Sequence, residues 1–338
     1  MEIKNDELIQ RFKNFYSHLN KKNIFYMFFT SKLLLFVKKN LMLLPKDINL
    51  IFLASQLKDD EKIWLQQIQR PIFYIDDLVD DRYIWKLLVL CNDENFGWID
   101  IDCFIFNPKI FDEITCIDNN TTHNCVWSFS CANICQYNIL HTYIMFFNIN
   151  AYRNVNKISP IDLGVYIYPG QQNRPPIQHN IFNETQVKLI NKIMPANSYP
   201  RYRLNHDQSQ NFFDTHIAYQ LIASTMGYKI NLIRDFDDIK YYSDEAIHIS
   251  SVSYFYIFMQ DKDRNSETYE AYKLALFFSY HLLSLYKDDI PQSYRILEKQ
   301  YIYMIKKTGT DISQVRDYLY NYFVSKGISS EIIDRLLN

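Results

Sequence analysis

Apolar residues recur at three-to-four spacing over residues 4–21 and again over 24–40, which predicts two helices at the start of the chain. The pattern then changes. Leu50-Ile51-Phe52-Leu53-Ala54 is a short unbroken apolar run, the form of a strand buried on both faces of a parallel sheet. Asp59 and Asp60 suit a helix start, and Glu61 to Ile68 continues it. Pro71 opens a second strand, Ile72-Phe73-Tyr74-Ile75, closed by Asp76 and Asp77. A helix over about Val79 to Leu90 follows, then a third strand, Phe96 to Ile101, whose end carries Asp100-Ile101-Asp102. Strand and helix alternate here as they do in an open α/β sheet with right-handed crossovers.

Beyond this run, Asn124 to Ser130 and His141 to Ile149 read as further strands. Between Ile158 and Asn211 regularity falls away, and six of the ten prolines lie there, the mark of a lid, a binding loop or a disordered insertion. Asp214 precedes a helix over Thr215 to Met226, Gly227 stops it, and Tyr228 to Ile233 is a strand. Glu245 to Ile249 makes another short strand. From about Glu267 the chain reads as helices, with a break at Pro291 and a turn at Gly309. The expected organisation is one catalytic α/β domain over residues 1–265 and a helical C-terminal extension over 266–338. No internal repeat is visible.

Composition narrows the function. The 338 residues are 48% hydrophobic and 16% aromatic, enough for a large core. The excess of Asn, Ile, Lys and Tyr reads first as an AT-rich coding bias and only second as a carbohydrate-binding surface. A net charge of −2 and the lack of a basic run argue against nucleic acid as a partner. The six cysteines form no pair of CxxC knuckles, so free thiols in a reducing compartment are expected. Ile24 to Val37, the most apolar stretch, is broken by Thr30, Ser31 and Lys32 and falls short of the roughly 20 residues a bilayer requires. It reads as a buried helix, with peripheral membrane contact as the lesser option. The charged start, MEIKNDELIQRF, is no signal peptide. The expected location is cytoplasmic. With six glycines and no GxGxxG, GxxxxGK[ST] or GxSxG, the chain is not read as a dinucleotide-binding Rossmann enzyme, a P-loop NTPase or an α/β-hydrolase.

The chemistry gathers at Asp100 and Asp102. Residues i and i+2 of a strand point to one face, so the two carboxylates are expected to project together. Ligands of open α/β sheets bind beyond the carboxyl ends of the strands, where this pair stands. Two like charges side by side need a cation or donors between them, and a hard divalent ion serves. The competing reading is a solvated loop-end pair or a helix cap.

With Lys86-Leu87-Leu88 and then Trp98-Ile99-Asp100-Ile101-Asp102-Cys103-Phe104-Ile105-Phe106, the chain resembles the GT-A-fold, DxD-containing, metal-dependent glycosyltransferases. Phe146-Phe147-Asn148 is similar to their acceptor-side strand, and Glu245 to Ser253 looks like their late histidine segment. The resemblance covers about residues 46–255, with the DxD its diagnostic part. It implies a Rossmann-like mixed sheet flanked by helices and a nucleotide-sugar donor, UDP-linked above others. It also implies a glycan, lipid, protein or small-molecule acceptor. Mn²⁺ or Mg²⁺ would be held by Asp100, Asp102 and His248, with Asp100 also within reach of the donor ribose.

Arg82 and Lys86, on the helix leading into the DxD strand, are candidate donor contacts, or simply a solvated face. Ser55 and Asp76, at strand ends, suit the base and ribose, or cap the helices that follow. Asp214 is the candidate catalytic base, with N-cap as its competing role. Asp207 is its rival, and Tyr199 to Arg203 offers an aromatic shelf for an acceptor sugar. Two alternatives stay open. A haloacid-dehalogenase-like phosphatase also uses two aspartates after a strand, but usually carries Thr or Val where Phe104 stands. A catalytically inactive transferase-like binding module would be indifferent to metal.

Overall fold

The computed structural model describes residues 2–76, 81–115, 124–128, 131–134, 137–140, 143–161, 163, 166–167, 184–185, 188, 212–213, 216–232, 242–250, 252 and 267–338. In chain order the elements are α1 (Glu2–Ser17), β1 (Ile24–Thr30), α2 (Leu34–Leu43), β2 (Leu50–Ser55), α3 (Asp59–Leu65), β3 (Ile72–Ile75) and α4 (Asp81–Cys91). Next come β4 (Phe96–Ile99), β5 (Cys103–Ile105), α5 (Lys109–Thr115), β6 (Asn124–Ser128), β7 (Cys131–Ile134), β8 (Tyr137–Leu140), β9 (Ile144–Phe147) and α6 (Ile149–Ile158). The chain finishes with β10 (Tyr166–Ile167), β11 (Phe212–Phe213), α7 (Ile217–Thr225), β12 (Lys229–Leu232), β13 (Ala246–His248), α8 (Glu267–Tyr286), α9 (Arg295–Lys307), α10 (Val315–Ser325) and α11 (Ser330–Leu337). The fold class is α/β, a mixed sheet with helices and a helical C-terminal segment.

The chain divides into two compact units. The first holds Met1–Tyr26, Asp77–Ile99 and Asp112–Asp235, and the second Met27–Asp76, Asp100–Phe111 and Phe236–Asn338. In the first unit the strand order is β12-β6-β9-β4-β1. β1 runs parallel to β4 and β12 to β6, while β9 is antiparallel to both neighbours. Aromatic packing fills this layer. Trp85 of α4 lies 4.6 Å from Trp98 and 6.0 Å from Phe96 between ring centroids, and Phe96 sits 5.4 Å from Phe147 across the β4–β9 ladder. Aromatic pairs across strands are units of sheet stabilisation. Gly97 pairs with Phe25 in the β1–β4 register, and an added Cβ would overlap the buried Phe25 ring. The close approach therefore requires glycine.

In the second unit the remainder of β1 is followed in order by β2 and β3, with β2 and β3 parallel. All six residues of β2 are buried, as its unbroken apolar run predicts. A second, two-stranded ladder pairs β5 with β13 in antiparallel register. Phe36 of α2, Phe104 of β5 and Phe278 of α8 pack together, with centroids 5.3–6.3 Å apart, so the C-terminal helices share a core with the acidic segment.

Two expectations are corrected. Residues 24–40 are not one helix: Ile24–Thr30 is strand β1, and only Leu34–Leu43 is helical. An apolar stretch buried on both sides has no periodicity to separate helix from strand, and the β-formers Ile, Phe and Tyr decide it. Of the three residues read as interruptions, Thr30 closes β1, while Ser31 and Lys32 form the turn to α2, with Lys32 at φ +77°. β4 is accordingly the fourth strand of the run rather than the third. The second correction concerns the acids. β4 ends at Ile99, and the carbonyl of Asp100 accepts from Cys103 N at 3.0 Å, so Asp100 to Cys103 is a turn. Asp is a favoured first residue of such turns. Strand alternation is therefore not what brings the carboxylates together.

The other expected strands and helices around the prolines, Gly227 and Gly309 lie close to their predicted places. Most of 158–211 falls outside the described residues. Among the described residues no helix is long and apolar enough to cross a membrane.

Candidate active site

The turn after β4 places Asp100 and Asp102 at the start of β5. β5 pairs with β13 so that Cys103 lies opposite His248, which sets His248 beside Asp102 although 146 residues separate them. Asp102 is also tied through its backbone, since its carbonyl accepts from Ile249 N at 2.9 Å. The His248 Nε2 lies 3.1 Å from Asp102 Oδ1 and 3.8 Å from Asp100 Oδ2. One ligand atom from each of the three residues falls within 4.8 Å of the others, an arrangement able to hold a metal ion. Two carboxylate oxygens and an imidazole nitrogen are the donors that Mn²⁺ accepts, and Mg²⁺ favours the oxygens. The residues present fit such an ion.

Electrostatics separate the roles. The Asp102 and His248 side chains are about equally enclosed, at 10% and 12% exposure, while Asp100 stands at 30% and faces solvent more openly. Burial alone would push the His248 imidazole below its ordinary value, but the Asp102 and Asp100 carboxylates outweigh that and hold it above. Cys103 is fully buried, and burial with the two adjacent carboxylates drives its thiol well above the usual range. It is a protonated core residue, not a thiolate ligand. Cys91 is likewise a buried free thiol.

The His248 shift has a measurable sign. Its native pKa exceeds the unfolded value of about 6.5. The stabilisation is therefore complete below that value and fades as pH rises through the native pKa. In urea titrations of EDTA-treated protein between about pH 6 and 8, the wild type is expected to lose stability relative to His248→Asn. Parallel profiles would show that the shift is absent.

The remaining described candidates fall in both units. Ser55 closes β2 fully buried. Asp76 is exposed just after β3 and pairs with Lys62 at 3.3 Å. Both belong to the second unit with the triad. Arg82 and Lys86 lie on α4 in the first unit; Lys86 is exposed, and the Arg82 side chain is outside the described set. Asp214, Asp207 and residues 199–203 are also outside it. The helix predicted after Asp214 begins at Ile217, preceded by His216 in the left-handed region at φ +67°. His216 is fully buried, edge-on to Trp85 and Phe147, and burial lowers its pKa to about 3, so it is a neutral packing residue.

Two buried polar residues of the second unit carry no motif. Asn40 of α2 donates from Nδ2 to the Ile101 carbonyl at 2.7 Å, inside the acidic turn. Glu61 of α3 is fully buried. It accepts from Lys32 N at 2.8 Å, Lys58 N at 2.9 Å and Tyr294 Oη at 2.9 Å. The available signals were a polar residue on an apolar helix face and a Glu at the third position of a helix.

In part of its length the chain is similar to glycosyltransferases. Residues 2–152 match the StrH glycosyltransferase N-terminal domain family. Over 95 residues the sequence is 32% identical to the dTDP-dihydrostreptose–streptidine-6-phosphate dihydrostreptosyltransferase of Streptomyces griseus, covering 28% of this chain and 24% of that one. The match thus spans about a quarter of the relative's length. Among solved structures, the glycosyltransferase GlyE of Streptococcus pneumoniae aligns at 9% identity over 41% of this chain and 38% of that one, with a TM-score of 0.29. A cytidylyltransferase from Leptospira borgpetersenii aligns at 13% identity over 43% and 66%, with a TM-score of 0.28.

Proposed function

We propose that this protein transfers a sugar from a nucleotide-diphosphate sugar, UDP-linked, to a hydroxyl-bearing acceptor. The observation that carries the reading is the convergence of Asp100, Asp102 and His248 at the β5–β13 ladder, in a chain whose residues 2–152 match a glycosyltransferase N-terminal domain family. Its DxD segment and mixed sheet also resemble the GT-A arrangement. The three residues would hold Mn²⁺ or Mg²⁺, which when bound supplies Lewis-acid neutralisation of the charge that grows on a departing diphosphate. Asp102, backbone-tied and enclosed, is the fixed ligand in this reading, and the more open Asp100 also reaches the donor. Arg82, Lys86, Ser55 and Asp76 are proposed as donor contacts, and Asp214 as the base that deprotonates the acceptor hydroxyl. Residues 266–338 are proposed as a helical extension that buttresses the catalytic domain of residues 1–265.

A dTDP-linked donor is the second reading, because the name of the Streptomyces griseus relative specifies a dTDP-sugar and a phosphorylated acceptor. A thermal-shift panel of UDP, dTDP and their sugar conjugates, with and without Mn²⁺, tests both. Stabilisation is expected only when nucleotide diphosphate and metal are present together, and at 100 times the dissociation constant it amounts to about 2.7 kcal/mol. No shift with any nucleotide, or phosphate release from simple phosphoesters without one, would overturn the proposal and favour the phosphatase.

A further inference from the structure

We propose that Asn40 is a positioning residue for the acidic turn: its side-chain amide, mounted on α2, holds the carbonyl of Ile101, the residue between the two aspartates. The inference rests on the metal-site reading above and concerns how this chain aims it. Asn40 is fully buried, and its Nδ2 donates to Ile101 O at 2.7 Å and to Phe36 O at 3.1 Å. Both partners are acceptors, so the NH₂ end of the amide must face them. The Phe36 bond is local, one helical turn back. The Ile101 bond spans 61 residues.

The Ile101 carbonyl shares one rigid peptide plane with the Asp102 N–H. Fixing that oxygen therefore fixes the plane from which the Asp102 Cα and carboxylate project. On the other side, the Asp102 carbonyl accepts from Ile249 N at 2.9 Å, next to His248. Both peptide planes flanking Asp102 are thus tied, one to α2 and the other to the end of β13. The mount itself is anchored: the neighbouring Lys39 is buried and donates to the Arg335 carbonyl of α11 at 2.7 Å.

The amide is costly where it stands. Asn40 Oδ1 is buried without a hydrogen-bond partner among the described residues. A bare buried acceptor is unfavourable, and an apolar side chain of similar shape avoids it. The amide is kept for the carbonyls its Nδ2 serves, and the distant one is that of Ile101.

The test is Mn²⁺ binding, followed by the electron paramagnetic resonance of the free ion, with no nucleotide present. Asn40→Leu and Asn40→Ser are each expected to weaken Mn²⁺ binding roughly tenfold or more, the range for residues that orient metal ligands. Asn40→Ser keeps a donor for the local Phe36 carbonyl, so it reports on the Ile101 contact if the leucine variant does not fold. Leu319→Ala, a core truncation in α10, is the stability control and should stay within about twofold. Wild-type affinity in both Asn40 variants, with binding abolished in Asp102→Ala, would overturn the positioning role and leave the metal reading intact. An equal loss in Leu319→Ala would also overturn it, since the effect would then track stability. Unchanged binding in Asp102→Ala would sink both.

Discussion

Asp102→Ala is expected to lower metal-dependent transfer and donor hydrolysis by on the order of 10³-fold. Circular dichroism should show the fold unchanged. The size follows from three ligand atoms gathered within 4.8 Å: with Asp102 gone, only the more exposed Asp100 and His248 remain. The same change removes the partner that His248 contacts at 3.1 Å, so a small loss of stability accompanies the larger functional loss. Asp102→Asn separates the two effects. It keeps the shape and a neutral acceptor for His248 while removing the charge, so it should restore stability without restoring turnover. Asp214→Asn should behave differently, retaining metal-dependent donor binding and losing transfer. Wild-type turnover in Asp102→Ala would remove the metal from the proposed reaction.

The largest stability effect is expected at Glu61. Replacing this fully buried carboxylate by alanine leaves Lys32 N, Lys58 N and the Tyr294 hydroxyl without their acceptor. Each buried donor left unsatisfied costs about 1–3 kcal/mol, so a total of roughly 3–5 kcal/mol is expected. The damage should spread. Tyr294 Oη also accepts from Leu34 N at 3.0 Å, so the first turn of α2 and the start of α9 share the network. Lys32, held at φ +77° by this bond, is free to relax once it is cut. Glu61→Gln keeps the shape and one good acceptor and should cost roughly 1–2 kcal/mol. Urea unfolding of the three proteins measures both numbers. A loss below about 1 kcal/mol for Glu61→Ala would mean that water replaces the carboxylate without penalty.

What the amino-acid pattern revealed, and what it hid, has physical causes. The alternation of strands and helices over residues 50–99 was legible because short apolar runs were punctuated by Pro71 and by acidic helix starts. β1 was not, because a strand buried on both faces is apolar throughout and adjoins a helix that is nearly as apolar. The acidic pair was legible by composition and by its place after a strand, yet the strand-alternation reason for its convergence was mistaken, since a turn does the work. His248 could be singled out only through a family resemblance. Its proximity to Asp102 depends on the pairing of β5 with β13, a register that no local spacing encodes. Asn40 and Glu61 were silent for a related reason: a buried polar residue announces itself as an exception on an apolar face, but its partner is distant and unnamed in the sequence.

The pairing of β5 with β13 also has a kinetic meaning. Closing a loop of about 145 residues is slow relative to local helix formation, because its entropy must be spent before the contact forms. A chain still emerging from the ribosome would carry both acids long before the histidine is synthesised. In the proposed reading, ion capture waits on the meeting of β5 and β13, so a metal-sensitive probe would report when that pairing forms.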